Sequence, residues 1–167
     1  MWILSLLPFL FQAVAIAFDE VYFHWKRGLP RWERIGHPLD TLSVLLSLSF
    51  VLFVPFSMKT LTFYILLAAF SCALVTKDEF VHKEHCSGAE NWLHAVLFIL
   101  HPITLTSAGL IWPVIQEIEV SPWLASWLTE KESLRRFLHL QFAMMTLFMF
   151  YQIVFWNFLW KEKPEQR

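Results

Sequence analysis

The chain has 167 residues, room for one compact domain, and it is 57% hydrophobic, 17% aromatic and 16% charged, with a formal net charge of −1. Soluble domains carry about a quarter charged residues, so the composition argues against a water-soluble globule, and without a Lys/Arg cluster of the size that grips phosphates it gives no sign of a nucleic-acid partner. The apolar residues fall in blocks close to the ~20 residues that cross a bilayer's hydrocarbon core, which predicts an all-α, polytopic membrane bundle built as a single domain.

The first apolar block, Met1 to Phe18, has no basic region ahead of it and reads as a retained helix, not a removed signal peptide. Its polar end extends this helix to about residue 24. A second helix is expected over about 38–57, with Pro38 suited to its first turn, and a third over about 59–85. The few residues between them, Phe56 to Lys59, make the pair an antiparallel hairpin. A fourth helix is expected over about 90–114 and a fifth over about 137–160. The connector before the fifth carries Pro122, Trp123 and Trp127, and paired tryptophans suit a segment lying at the membrane interface. Cys72 and Cys86 would both lie on the third helix, about 21 Å apart at 1.5 Å per residue, too far for a disulfide.

With five crossings, one side of the membrane holds Lys26, Arg27, Arg31, Arg34, Lys77, Lys83, Lys161, Lys163 and Arg167, and the other Lys59, Lys131, Arg135 and Arg136. Nine against four places the first side in the cytoplasm, the N-terminus outside and the C-terminus inside.

Six of the seven histidines fall in two short windows, residues 19–40 and 78–101, together with eight of the fourteen acids. In the five-helix arrangement each window joins the end of one helix to the start of the next, all on the cytoplasmic side. The windows also repeat one another. The first reads Asp19-Glu20, His24, Glu33, His37, and the second Asp78-Glu79, His82, Glu90, His94. Pairs three or four residues apart share a helix face, so Glu20 with His24, Glu79 with His82 and Glu90 with His94 each present a carboxylate beside an imidazole. Ionisable groups bordering apolar helical sequence are costly and usually functional. The ligand candidates are therefore Glu20, His24, His37, Asp40, Asp78, Glu79, His82, His85, Glu90 and His94. Asp19, Glu33 and Glu84 read instead as solvated partners of the neighbouring lysines and arginines. His101, seven residues past His94 and just before the helix-kinking Pro102, is assigned to a substrate pocket beneath the cluster. His139 begins the fifth helix on the opposite side and reads as structural.

Carboxylate oxygens mixed with imidazoles suit iron or manganese, with zinc also accommodated. Glu79-Phe80-Val81-His82 matches the Glu-x-x-His motif of helical di-iron carboxylate proteins, and at the level of motif type the chain resembles them. Glu20-to-His24 and Glu90-to-His94 are one residue longer than that motif. His82-Lys83-Glu84-His85 has the HxxH spacing of membrane desaturases and hydroxylases but continues with Cys86. The resemblance implies two transition-metal ions, iron preferred, and an oxidoreductase that hydroxylates, desaturates or oxidises a membrane lipid or another lipid-soluble substrate. No flavin, haem or nicotinamide motif is present, so electrons would come from a separate donor. The alternatives are a metal-ion or proton transporter, with the cluster as its entry, and a metal-stabilised membrane scaffold.

Overall fold

The structure, a computed structural model, describes residues 1–77 and 86–160. Every regular element among the described residues is helical. Helix α1 spans Trp2–Arg27, α2 Arg31–Phe53, α3 Met58–Leu74, α4 Gly88–Ile115, the short α5 Pro122–Trp127, and α6 Lys131–Leu159. Helices α1, α2, α4 and α6 are long and apolar enough to cross a membrane; α3, at 17 residues, is shorter.

The distribution of side chains fits an integral membrane protein. Phe11, Val14, Phe63, Leu66, Ile99 and Leu147 face outward, whereas Gln12, Ser43, Ser47, Ser71, Thr104 and Gln152 are buried between helices. In a bilayer the outer surface must be apolar, and small or polar side chains let helices approach and bond one another. Helix α4 lies at the centre and packs against α1, α2, α3 and α6. Gly109 permits one such approach, since a Cβ there would stand 2.9 Å from the Tyr64 ring. The core at the far end from the acidic cluster gathers Phe9, Leu48, Val51, Ile111 and Trp112. There Gln116 and Trp112 clamp the α2–α3 turn, both donating to the Val54 carbonyl, while Gln116 Oε1 accepts from the Phe56 amide at 2.7 Å.

The three largest departures from the expected helix boundaries have physical causes. Helix α2 starts at Arg31 and carries Pro38 inside it. Tertiary bonds outweigh the local cost of Gly36 and Pro38: Glu33 in the first turn is held by Arg27, and Arg34 Nε donates to the Leu29 carbonyl at 2.7 Å. Helix α3 stops at Leu74, well short of residue 85, where the amides of Thr76 and Lys77 fold back onto the carbonyls of Ala73 and Leu74 and Lys77 reaches Asp40. Helix α6 begins six residues before Phe137, because Leu134 and Leu138 are fully buried and Arg135 bonds the Ile115 carbonyl at the end of α4.

Candidate metal centre

Towards its C-terminal end α1 widens into a π-helical turn over Asp19–His24. In a regular α-helix residues five apart point about 140° away from each other. The wider turn closes residue i onto i+5, so His24 meets Asp19 and Glu20 together. His24 Nδ1 lies 3.0 Å from Glu20 Oε2, and because a carboxylate only accepts, the ring nitrogen donates. The other oxygen of Glu20 accepts from Tyr151 O–H at 2.6 Å and from Trp156 Nε1–H at 2.7 Å. Glu20 thus stands behind the imidazole, locked by α6, and sets its tautomer and its direction.

The opposite nitrogen, His24 Nε2, faces three other groups. It lies 3.2 Å from Asp19 Oδ2 and 4.0 Å from Glu90 Oε1, yet makes no hydrogen bond to either. His94 Nε2 lies 3.4 Å from the same Asp19 oxygen. One donor atom from each of Asp19, His24, Glu90 and His94 falls within 4.8 Å of the others, and all four residues are buried. Four donors at about 2.1 Å from one tetrahedral ion stand about 3.4 Å apart, so these atoms have the spread of a shell around a single cation. Asp19 Oδ1 is also buried without a hydrogen-bond partner among the described residues, which fits an ion or other ligand held at this group.

Charge makes the same demand. Asp19, Glu20, Glu33 and Glu90 are each 6% exposed or less, and buried carboxylates need cations or strong donors. Arg27 supplies one positive charge. Its Nη2 donates to both Glu33 oxygens at 2.8 Å and to Glu90 Oε1 at 2.9 Å, and its Nε donates to Glu90 Oε1 at 3.0 Å. The guanidinium therefore ties the first turn of α2 to the first turn of α4, at the two glutamates that correspond in the sequence repeat. Cys86 stands beside it, with Sγ 3.8 Å from Arg27 Nη2. Burial outweighs the neighbouring cation and pushes this thiol up to about 12, so it stays protonated at neutral pH.

A second group, His24, Glu33 and His37, also has metal-ligand spacing. It draws on the same His24, whose Nδ1 is turned to Glu20, so the described residues complete one four-donor group. Among the sequence candidates, His24, Glu90 and His94 converge in that group. Glu20 is next to it but faces His24 from behind. His37 packs edge-on against His24, with ring centroids 4.9 Å apart. Asp40 is set apart, paired with Lys77 Nζ at 2.7 and 2.8 Å. Asp78, Glu79, His82 and His85 lie outside the described residues.

Asp19 and Glu33 are not the solvated rim that the neighbouring basic residues suggested: the π turn brings Asp19 inward and Arg27 draws Glu33 under cover. The Glu33–His37 spacing, identical to that of Glu90–His94, was the available signal for Glu33. Sequence held no comparable signal for Tyr151 and Trp156, which come from more than 120 residues away.

The centre opens on a cavity of about 120 Å³ whose other walls are largely apolar, including Ile16, Val44, Leu97, Phe98, Met145 and Phe148. His101 lines it, bonded to Gln12 and Ser71. A second cavity of about 190 Å³ continues deeper between α1, α2, α4 and α6 and shares Gln12, Ile16, Val44, Met145 and Phe148 with the first. No protein-family model, curated protein or solved structure matches this chain, so the reading of the centre rests on its own geometry.

Proposed function

We propose that the protein is an integral-membrane metal-dependent oxidoreductase that acts on a lipid-soluble substrate, with iron held by Asp19, His24, Glu90 and His94. The observation that carries this reading is the direct opening of a buried carboxylate–imidazole group onto an apolar cavity. Two carboxylate oxygens and two imidazole nitrogens suit iron or manganese, and zinc would also be accommodated. Iron in this position would supply dioxygen activation for hydroxylation, desaturation or quinol oxidation. The chain's own residues do the rest: Glu20, fixed by Tyr151 and Trp156, keeps His24 Nε2 unprotonated and aimed at the ion. Arg27 offsets the carboxylate charge, and the apolar walls of Leu97, Phe98 and Phe148 keep water from the reacting carbon. A second ion is proposed at Glu33 and His37, sharing Glu33 with Arg27 and taking further ligands from Asp78, Glu79, His82 and His85. Electrons would come from a separate donor on the cytoplasmic face, the side assigned by the excess of lysine and arginine.

Transport is the competing reading, and the packing supports it less. The second cavity is closed by Phe9 and Leu48 and backed by Val51, Ile111 and Trp112, which offer an ion no polar ligands. The test is elemental analysis and optical spectroscopy on protein purified without chelator, followed by oxygen uptake and product analysis with a lipid extract. Bound iron, oxygen consumption and an oxidised lipid, all lost in His94→Ala, support the reading. Loss of one ion of two in His82→Ala supports the second site. Background metal content would instead mark a proton-sharing acid–histidine cluster, and metal flux into vesicles without oxygen consumption would establish transport.

A further inference from the structure

Below the metal centre a run of buried hydrogen bonds crosses the bundle. Ser43 Oγ donates to the Asp40 carbonyl at 2.7 Å, Ser43 and Ser71 hydroxyls meet at 2.6 Å, Ser71 Oγ lies 2.9 Å from His101 Nε2, and Gln12 Nε2 lies 3.1 Å from His101 Nδ1. A hydroxyl has one hydrogen to give. That of Ser43 goes to Asp40, so Ser71 donates to Ser43 and accepts from His101 Nε2–H. His101 Nδ1 is then an acceptor and takes the amide N–H of Gln12. Each link follows from the first, and the polarity also orients the Gln12 amide. The run ends at Gln12 Oε1, which is buried and has no hydrogen-bond partner among the described residues.

Gln12 is 9% exposed and stands where the two cavities meet. Buried acceptors without a partner are rare and call for a water, an ion or a ligand. An amide oxygen in this position asks for a donor. The deeper cavity around it presents mainly carbon, from Phe9, Ala13, Leu48, Ala108 and Met144; of its other polar walls, Thr104 has committed its hydroxyl to the Leu100 carbonyl at 2.9 Å, and Gln141 makes no hydrogen bond to Gln12 Oε1. An occupant that fills this volume and also satisfies Gln12 is a hydrocarbon bearing a free hydroxyl.

We propose that the deeper cavity binds a lipid-soluble molecule through a single hydroxyl, which donates to Gln12 Oε1 while its hydrocarbon part packs between α1, α2, α4 and α6. Gln12 lies two turns along α1 from Asp19, about 10 Å, so the hydroxyl is the end of the ligand nearer the metal centre. This rests on the reading of the cavities as a substrate chamber and names the substrate's class.

The test uses a photoreactive long-chain primary alcohol and its methyl ether of equal length, applied to the purified full chain in nanodiscs after metal depletion. The two probes differ by one O–H donor. The alcohol should label the peptides around Gln12 and Met145 about fivefold more than the ether, the value of one net hydrogen bond. In Gln12→Met the ratio should fall to about one, while Thr62→Val, on the exposed face of α3 and lining neither cavity, should leave it unchanged. Equal labelling by both probes in the wild-type protein overturns the proposal and assigns Gln12 Oε1 to a water. A preference that survives Gln12→Met overturns it as well. Because labelling is read without metal, absence of iron from the native protein would sink the oxidoreductase reading and leave this result standing, and the reverse also holds.

Discussion

Substituting Glu20 separates a direct ligand from a residue that orients one. In Glu20→Gln the side chain keeps its shape but has a single acceptor oxygen and an NH2 group. Two donors, Tyr151 O–H and Trp156 Nε1–H, converge on one side of the group at 2.6 and 2.7 Å, and His24 Nδ1 lies on the other at 3.0 Å. The amide satisfies more partners by turning its oxygen to α6. Its NH2 then faces His24 Nδ1, which must accept, and the ring proton moves to Nε2, the nitrogen that faces Asp19 and Glu90. Losing an orienting partner of this kind weakens metal binding about 10- to 100-fold, or about 1.4–2.8 kcal/mol. Cobalt(II) titration of the metal-depleted protein, against a competing chelator, measures this directly because the visible spectrum also reports coordination geometry. Glu20→Gln should bind cobalt at full occupancy with the affinity so reduced, whereas His94→Ala should lose the tetrahedral spectrum. Abolition of cobalt binding in Glu20→Gln to the same extent as in His94→Ala would make Glu20 a direct ligand. An unchanged affinity would refute the orienting role altogether.

Arg27→Leu leaves Glu33 and Glu90 buried without their guanidinium and should cost about 3–5 kcal/mol, seen as a large fall in the thermal unfolding midpoint; Glu33→Gln added to it should recover part of the loss. Cys86, raised to about 12, has less thiolate at any pH below that value than an ordinary thiol near 8.5. Its alkylation by iodoacetamide, followed by mass spectrometry, should therefore be slow at pH 8 and still rising at pH 10, and a plateau near pH 9 would contradict the burial argument. Gly109→Ala places a Cβ against the Tyr64 ring, whose hydroxyl is tied to the Leu105 carbonyl at 2.6 Å. Overpacking of this kind costs about 1–3 kcal/mol, more than the roughly 1 kcal/mol of helix propensity gained, so the variant should unfold at lower temperature than the parent.

Several features were legible in the residues themselves. Long apolar blocks require helices in a bilayer because no other open segment can satisfy its backbone there. The clustering of histidine and acid at helix ends marked the place of the centre, and the four-residue spacing of Glu90 and His94 put them on one face, since spacing within a helix is a local property. Where local geometry departs from the regular period, that inference fails. The α-helical period pairs Glu20 with His24 and turns Asp19 away; the π turn pairs both, and packing against Tyr151 and Trp156 then gives Glu20 the rear position and Asp19 the inner one.

Relations between helices were likewise beyond the sequence. Arg27, one of four basic residues in a charged stretch, gave no sign that it would join Glu33 to Glu90. Asp40 had the spacing to act with His37 but lies against Lys77, brought in from the end of α3. Gln12 sits in an apolar block with nothing nearby in the chain to mark it, and it matters because His101 of α4 takes its N–H and leaves its oxygen without a partner among the described residues. Periodicity specifies which side chains share a face of one helix. Which faces meet, and which polar atoms are left unpaired when they do, depends on how the helices pack, and tertiary structure alone decided that.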